Sequence, residues 1–256
     1  MKLGIVTYNI AKDWDLATII KVCESVGLAG VELRTTHAHG VEVTLSAAQR
    51  REVRERFAAS PVVIVGLGSA FEYHSTDPEE VRRNIEGTQA YSQLAADVGA
   101  AGVKVRPNGL PSGVPIQKTI EQIGLSLRQV GAFAADLGVQ IRLEVHGKDS
   151  CHVPYIQQMV AVADHPNVYV CWNSNPADLG PDGSIASNFE RVRERLALVH
   201  INELWSTYPW REEFRLLQAA GYTGYALAEI AGCPDLDSSI RLLHFYKALW
   251  QELCRA

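Results

Sequence analysis

Short apolar runs alternate with longer amphipathic segments along the whole chain. The short runs are rich in Val, Ile and Leu, and most begin with or directly follow a Gly or Pro, which indicates buried β-strands. Eight such runs are present: Leu3–Tyr8, Gly30–Arg34, Val62–Gly66, Gly102–Arg106, Val139–Val145, Val168–Trp172, Ala197–Ile201 and Tyr225–Glu229. Between them, apolar residues recur three and four positions apart, the spacing of one helix face. The pattern therefore predicts eight strands that alternate with helices.

Local signals mark where several of these helices begin and end. Leu16–Val26 carries the helical repeat, and a second helix is predicted over Ser46–Ala59, with the serine as its N-cap. Asp77-Pro78 reads as a cap followed by a first-turn proline. A longer helix is predicted over Pro115–Leu137, where a glycine ends it, and the last one ends at Leu253.

The spacing of the units predicts how they pack. Eight units in 256 residues average 32 residues each, which suits parallel strands joined by helical crossovers. The junction VGLAGV at Val26–Val31 is nearly repeated as VGAAGV at Val98–Val103, and no linker divides the chain. We therefore predict an α/β fold, a single (β/α)8 TIM barrel over residues 1–256. An open doubly wound sheet is the alternative, but no GxGxxG follows the first strand, where its dinucleotide site would require one.

Composition and charge narrow the classes of partner. The chain has 24 basic and 29 acidic residues, a net charge of −5, which argues against nucleic-acid binding. No apolar run is long enough to span a bilayer, and no signal peptide is recognised. Five scattered cysteines without a CxxC motif indicate reduced thiols. We expect a cytoplasmic protein with no membrane partner. The sequence is compatible with a homo-oligomer but does not predict one.

Polar and charged residues gather where the predicted strands end. In a barrel of parallel strands, these ends and the loops after them face one shared basin. The candidates in chain order are Tyr8, Asn9, Glu32, Arg34, Lys104, Arg106, Glu144, His146, Asn173, His200, Asn202, Glu203 and Glu229. Ionisable groups at such positions must be paired, hydrated or bound to metal. The sequence therefore predicts a functional site at this rim.

Glu144, His200 and Glu229 are the candidates best suited to metal binding or acid–base chemistry. They end the fifth, seventh and eighth predicted strands, which are far apart in sequence but close together in a closed barrel. Carboxylate and imidazole ligands suit one divalent ion such as Mn²⁺, Mg²⁺, Zn²⁺ or Co²⁺. The two glutamates are also placed to act as an acid and base across a bound sugar.

Other charged candidates allow two interpretations each. Lys104 and Arg106 would bind an anionic or hydroxylated substrate, or Lys104 would neutralise Glu144 on the neighbouring strand. For Glu32 and Arg34 we favour an ion pair at the rim over a substrate contact.

Two loop segments are equally open to interpretation. The histidines in Thr36–Gly40 would form a second metal site or, as we favour, belong to a mobile lid. The aromatic residues near the same rim would wall a sugar-sized pocket or serve ordinary packing. They are Trp14, Trp205, Tyr208 and Trp210.

At these residues the sequence resembles the xylose isomerase-like barrel superfamily, and in particular its sugar (phosphate) isomerase/epimerase branch. The resemblance covers essentially the whole chain and depends on five short motifs. They are Leu3–Tyr8, Gly30–Arg34, Leu143–Gly147, Val199–Glu203 and Ala228–Ile230. It implies a single divalent ion held by a glutamate, an aspartate, a histidine and a second glutamate from strands five to eight. Glu144, His200 and Glu229 match three of these positions.

The fourth position departs from the family pattern. Where Asp-x-x-His is usual after strand six, this chain has Asn173 and Pro176. An amide oxygen can still bind a hard cation, so Asn173 stays in the predicted ligand set. The set then carries two negative charges instead of three. We expect weaker binding and a more electrophilic ion.

The resemblance implies proton transfer at a carbon beside a carbonyl of a carbohydrate, with Glu144 and Glu229 as the proton-transfer pair. The predicted substrate contacts are His146, Lys104, Arg106, Asn202, Glu203 and Glu32. A lyase, dehydratase or deglycosidase on an oxidised sugar would use the same site. A non-catalytic sugar-binding barrel is a further alternative. The superfamily's apurinic endonucleases fit poorly, because they need more metal ligands and a basic cleft.

Overall fold

The computed structural model describes residues 1–255 and shows a closed barrel of eight parallel strands. Each strand pairs with the next along the chain, and the eighth pairs with the first. The strands are β1 Lys2–Val6, β2 Gly30–Arg34, β3 Val63–Glu72, β4 Gly102–Arg106, β5 Gln140–Glu144, β6 Val168–Trp172, β7 Leu196–Ile201 and β8 Tyr225–Ala228. The predicted (β/α)8 barrel is therefore confirmed, and the doubly wound alternative is wrong.

Eight helices surround the strands. They are α1 Leu16–Val26, α2 Ala47–Ala58, α3 Pro78–Val98, α4 Ile116–Asp136, α5 Val153–Ala163, α6 Ala186–Val192, α7 Trp210–Ala219 and α8 Leu236–Leu253. The predicted caps are confirmed, because Ser46 accepts from the Gln49 amide in a capping box and Asp77 accepts from the Glu79 amide. None of the helices in the described part of the chain combines the length and apolar character that crossing a bilayer requires.

Strand β3 is longer than predicted, because the glycines that were taken to end it remain within the sheet. Gly66 pairs with Glu32 and Gly68 with Arg34 on β2, and Gly68 also pairs with Lys104 on β4. A Cβ atom on Gly68 would lie 2.8 Å from Glu32 Oε1, so a larger residue there would displace the Glu32 carboxylate. The glycines leave room for the Glu32 carboxylate inside the barrel.

The apolar core has two parts. The larger part lies between the strands and the surrounding helices and includes Ile141, Leu143 and Phe214. The smaller part lies in the barrel interior and consists of Val6, Val65, Cys171, Leu198 and Leu227. Other buried interior positions form a polar layer of ionisable side chains, namely Glu32, Lys104, Arg142, Glu144 and His200.

Candidate functional site

The polar layer forms the floor of a cavity at the carboxyl ends of the strands. Side chains alternate along a strand, so Arg142 and Glu144 of β5 both point into the barrel. The cavity has a volume of about 310 Å³. Its lining residues are Tyr8, Arg34, Lys104, Arg106, Glu144, His146, Asn173, Asn175, Asn202 and Glu229. Most of the predicted site residues therefore share one basin.

Glu144 and Glu229 line this cavity, and His200 lies buried against both of them. His200 Nδ1 lies 3.2 Å from Glu144 Oε1 and 3.6 Å from Glu229 Oε2. One ligand atom from each residue lies within 4.8 Å of the others, and no other such group of acidic, histidine and cysteine side chains occurs in residues 1–255. Two carboxylates and an imidazole are donors that divalent ions accept. The donor set fits one divalent ion, and Asn173 lines the same cavity.

The second ring nitrogen of His200, Nε2, faces the carboxylate of Glu32. His200 Nε2 lies 3.4 Å from Glu32 Oε1, and both side chains are only 1 % exposed. Both Glu32 oxygens and His200 Nε2 are buried without a hydrogen-bond partner. A carboxylate next to the second nitrogen of a ligating histidine fixes the orientation and tautomer of the ring. Glu32 therefore lies beneath the cavity instead of lining it.

Charged neighbours determine the ionisation of the site. Lys104 Nζ donates to Glu144 Oε2 over 2.7 Å, and both side chains are buried. Burial opposes ionisation of Glu144, but Lys104 and His200 outweigh it and hold the pKa of this carboxyl below its usual range. Burial likewise opposes ionisation of Glu229, and the contact with His200 lowers its pKa. Both glutamates are therefore carboxylates.

Lys104 and His200 are protonated, because neighbouring groups favour their charged forms more than burial disfavours them. Burial disfavours the charged Lys104, but Glu144 and Glu32 outweigh it and raise its pKa. Burial also disfavours the His200 imidazolium, but Cys171 and Glu32 hold its pKa well above the ordinary value. Of the two interpretations of Lys104, the ion pair with Glu144 is the one observed, although Lys104 also lines the cavity.

Two further predicted contacts, His146 and Arg106, also line the cavity. His146 Nδ1 lies 2.9 Å from Asn108 Oδ1, so Nδ1 carries a proton and Nε2 is left as the acceptor. Burial lowers the pKa of His146. Arg106 donates to the Ala70 carbonyl and lies 3.5 Å from Glu72 Oε2.

The expected ion pair between Glu32 and Arg34 is wrong. Both residues point into the barrel, but Glu32 lies against His200, at a deeper level. The Arg34 guanidinium lies 5.0 Å above the Tyr8 ring. Within residues 1–255 its guanidinium forms no ion pair and donates no hydrogen bond, so it is an available cation in the cavity wall.

A buried acid supports the segment after β6 that carries Asn173. Ser174 has a positive φ of 45°. Its Oγ lies 2.8 Å from the His200 carbonyl oxygen and 2.9 Å from Glu213 Oε2. A hydroxyl has one proton and a carbonyl has none, so a Ser174 that donates to His200 accepts from a protonated Glu213. Burial raises the pKa of Glu213 to about 8, in agreement with that proton count.

A second buried acid lies beside the first. Asp178 Oδ2 accepts from the Asn175 amide over 2.6 Å and from the Tyr208 hydroxyl over 3.1 Å. Tyr208 in turn accepts from Trp172 Nε1 over 3.1 Å. Burial raises the pKa of Asp178 to about 7. These contacts fasten the loop from the back, away from the cavity.

Two predicted substrate contacts, Asn202 and Glu203, follow β7. Asn202 lines the cavity and donates to the Ser174 carbonyl oxygen. Glu203 lies in the wall of an adjacent cavity instead, and its two oxygens accept from Trp205 Nε1 and the Ala231 amide. Because its oxygens are engaged outside the main cavity, we do not carry Glu203 into the proposed site.

The aromatic residues do not wall the main cavity. Trp205 is 80 % exposed and lines the adjacent cavity with Tyr208. Trp210 packs in the core against Phe214, and Trp14 borders a separate depression beside α8. The packing interpretation therefore holds for Trp210, and the sugar-pocket interpretation fails for all four at the main cavity.

The histidines of the loop after β2 serve the fold. His39 Nε2 donates to the Arg34 carbonyl and its Nδ1 accepts from the Val41 amide, so neither nitrogen is available to a metal. His37 Nδ1 lies 3.1 Å from Thr7 Oγ1. These bonds fasten the segment to the barrel, and the second metal site is wrong.

Three contributors were missed as site residues: Asn175, Glu213 and Asp178. Asn175 lines the cavity with Tyr8 and stands three residues after a predicted strand end, which is a signal that could have identified it. The buried acids Glu213 and Asp178 lack such a signal. Glu213 belongs to a helix whose sequence reads as a solvated acidic first turn.

Comparison with known proteins places this geometry in a family. A family model described as a xylose isomerase-like TIM barrel matches residues 20–248. No curated protein matches the chain.

Several solved structures share the fold at low sequence identity. The 3-keto-D-glucoside 4-epimerase YcjR from E. coli is 17 % identical with a TM-score of 0.78, and 96 % of this chain and 98 % of that chain are covered. D-Psicose 3-epimerase from Clostridium cellulolyticum H10, in a structure with D-tagatose, is 16 % identical with a TM-score of 0.81 and full coverage of both chains. The IOLI protein with a bound zinc atom is 15 % identical with a TM-score of 0.78, and 99 % and 96 % are covered. The match to the family model and the closed barrel show that this chain belongs to the xylose isomerase-like TIM-barrel family.

Proposed function

We propose that this protein is an isomerase or epimerase of a carbohydrate, which moves a proton at a carbon beside a carbonyl group. The observation that supports the proposal is the cluster of Glu144, His200 and Glu229, whose two glutamates line one cavity. Two carboxylates and an imidazole at this spacing suit both metal binding and proton transfer. The fold is also that of the epimerases named above.

The cavity offers a defined place for a divalent ion. Glu144, His200 through Nδ1 and Glu229 would hold it, with Asn173 as a fourth, uncharged ligand, and His200 would release the Nδ1 proton that it carries without metal. When bound, Mn²⁺, Mg²⁺, Zn²⁺ or Co²⁺ would act as a Lewis acid toward the substrate carbonyl and make the neighbouring C–H more acidic. Glu32 holds the opposite nitrogen of the ring and thereby orients His200.

The two glutamates have unequal surroundings. Glu144 uses both oxygens in contacts, one with Lys104 and one with His200. Glu229 contacts His200 through Oε2, while its Oε1 has no polar partner among residues 1–255. Glu229 therefore has the freer oxygen to take a proton from the substrate, and Glu144 is the more tightly held member of the pair. We assign proton removal to Glu229 and proton return to Glu144, which starts as a carboxylate and takes the proton that it returns from the Lys104 ammonium at 2.7 Å. Exchange with solvent then removes the proton from Glu229 and restores the one on Lys104.

The other cavity residues bind and orient the substrate. His146 offers Nε2 as a hydrogen-bond acceptor, and Asn202, Arg106 and Lys104 supply donors. The cavity volume of about 310 Å³ lies at the lower end of small-ligand sites, which suits a single sugar unit. Cytoplasmic location and a homo-oligomeric state stay predictions.

Proton exchange with solvent tests the proposal directly. The Mn²⁺-loaded protein is incubated in D₂O with a panel of ketoses, their phosphates and their uronates. We expect deuterium at a carbon beside the carbonyl in at least one sugar, detected by NMR. Both Glu229→Gln and Glu144→Gln should slow exchange by about 10²- to 10⁴-fold, whereas Glu190→Gln on exposed α6 should not.

The same spectra separate the alternatives. An isomerase or epimerase keeps the formula of the sugar, whereas a lyase or dehydratase releases water or another substituent. Binding without deuterium incorporation anywhere in the panel would favour a non-catalytic barrel and contradict the proposal. Full exchange in both glutamine variants would contradict the assigned residues.

A further inference from the structure

The cavity has two sides of different character. Glu144, Asn173 and Glu229, at the carboxyl ends of β5, β6 and β8, line one side with His200 of β7 buried beside them, and this side suits a metal ion. The opposite side comes from β2 to β4 and presents the guanidinium groups of Arg34 and Arg106. The two arginines are unused by the proposed proton transfer.

The two arginines stand on the same side of the cavity. Arg34 and Arg106 end β2 and β4, the two neighbours of β3 in the sheet. Both side chains line the cavity. A substrate group in the cavity can therefore reach both guanidinium groups.

Neither arginine is saturated by the protein. Arg34 stacks on Tyr8 and has no carboxylate partner in the described part of the chain. Arg106 donates to the Ala70 carbonyl and faces Glu72 at 3.5 Å, while its Nε is buried without a partner. Each guanidinium has five N–H donors, so both retain donors for a ligand.

Charge balance points the same way. With His200 neutral as a metal ligand, the ionised groups in or directly beneath the cavity are four cations and four carboxylates: Arg34, Lys104, Arg106 and Arg142, and Glu32, Glu72, Glu144 and Glu229. A divalent ion would leave the cavity with an excess of two positive charges. Transfer of a substrate proton to Glu229 moves charge within the cavity and leaves this excess unchanged. A negatively charged group on the substrate would reduce or cancel it.

We infer that the substrate carries an anionic group, a carboxylate or a phosphate, and that Arg34 and Arg106 bind it. Guanidinium groups bind both anions through paired N–H donors. The inference rests on the proposed function, because it names the substrate class of the same site. It separates this chain from the similar epimerases named above, whose printed sugars are uncharged.

Three sugars that differ only at one carbon test the inference: D-fructose, D-fructose 6-phosphate and D-fructuronate. Their affinities for the Mn²⁺-loaded full chain are measured by calorimetry. We expect at least one anionic sugar to bind about 10- to 100-fold more tightly than D-fructose. The preferred one identifies phosphate or carboxylate as the group recognised.

Variants of Arg34 and Arg106 test whether these residues cause the tighter binding of the anionic sugar. Arg34→Gln should remove most of it and weaken D-fructose binding little, and Arg34→Lys should keep part of it, because the charge remains. Arg83→Gln, an exposed residue of α3, is the matched control and should change nothing. Arg106→Gln should act in the same direction as Arg34→Gln.

Three results would overturn the inference. One is equal affinity for all three sugars, and another is no measurable binding of either anionic sugar. The third is a preference that survives in both glutamine variants, since the anion would then bind elsewhere, such as at the metal. Tighter binding of an anionic sugar without deuterium exchange in any sugar would support the arginine site and contradict the proposed function. Deuterium exchange in neutral sugars alone would support the proposed function and contradict the arginine site.

Discussion

Two pairs of buried carboxyl groups lie on either side of the loop after β6, and they differ in protonation. Glu144 and Glu229 face the cavity and have lowered pKa values. Glu213 and Asp178 lie behind the loop, and burial raises their pKa values to about 8 and about 7. Burial acts in the same direction on all four groups, so their neighbours make the difference.

The difference comes from the cations present. Lys104 lies 2.7 Å from Glu144, and His200 contacts both glutamates of the cavity. The pair behind the loop has hydroxyl, indole and amide partners such as Ser174 and Tyr208, none of them a cation. A buried carboxyl ionises where opposite charge offsets its desolvation and otherwise keeps its proton. One pair is therefore suited to chemistry and the other to supporting the loop.

Replacing the cation of the cavity pair should have the largest effect. Lys104→Met leaves Glu144 buried without its closest counter-charge, which costs about 3–5 kcal/mol of unfolding free energy. Urea unfolding at neutral pH measures the loss. The double variant Lys104→Met/Glu144→Gln should recover much of it, because no uncompensated charge remains.

An exposed cation provides the matched control for this prediction. Arg82 on α3 pairs with Glu79 and Glu86 at the surface. Arg82→Met should cost about 1 kcal/mol or less. Equal losses for the two single variants would contradict the idea that Lys104 is what keeps Glu144 ionised in the interior.

The pair behind the loop can be tested through pH. The pKa of Glu213 is raised from 4.5 to about 8, so between these values the unfolded chain releases a proton that the folded chain keeps. The free energy of unfolding therefore falls as pH rises through this window, by up to about 1.4 kcal/mol per unit from this group. The contribution is fully present below the window and lost above it.

Glu213→Gln should remove this dependence, because an amide N–H₂ can donate to Ser174 Oγ without titrating. We expect the variant to gain stability over the wild type as pH rises from about 4.5 to about 8. Denaturant unfolding across the window measures the difference. Asp178→Asn should act similarly with a window that ends near 7. Parallel curves for wild type and Glu213→Gln would show that Glu213 is ionised throughout.

These two regions also show how far sequence reasoning extends. The barrel, its strand order and the cavity pair followed from periodicity, because residues at parallel strand ends must converge. The choice between the two partners of Lys104 did not follow, since strand register brings Lys104 opposite Arg142 and only the side-chain rotamers bring it to Glu144. The burial of Glu213 could not be predicted, because a glutamate in the acidic first turn of a helix is usually solvated. It is buried here only because the loop after β6 packs over it. Tertiary contacts decided protonation in both regions.

The carboxylate beneath the cavity tests whether His200 is oriented by charge. Glu32→Gln keeps a group of the same shape near His200 Nε2 but removes its charge. We expect Mn²⁺ affinity to fall by about 10- to 100-fold, measured by calorimetry. Glu190→Gln on exposed α6 should leave it unchanged. An unaltered affinity in Glu32→Gln would mean that packing alone holds the ring.

The smallest expected effect comes from adding a carboxylate at Asn173, on the cavity side of the loop after β6. Asn173→Asp gives the ligand set a third negative charge, which should raise Mn²⁺ affinity by about tenfold, because affinity follows ligand charge. Without metal, the same charge lies close to Glu144 and Glu229 and should lower the unfolding free energy. The variant should therefore be less stable than wild type in a chelator, and gain more stability than wild type from saturating Mn²⁺. Asn84→Asp on α3 is the control for the charge change, and an Asn173→Asp variant with unchanged Mn²⁺ affinity would show that this position does not bind the ion.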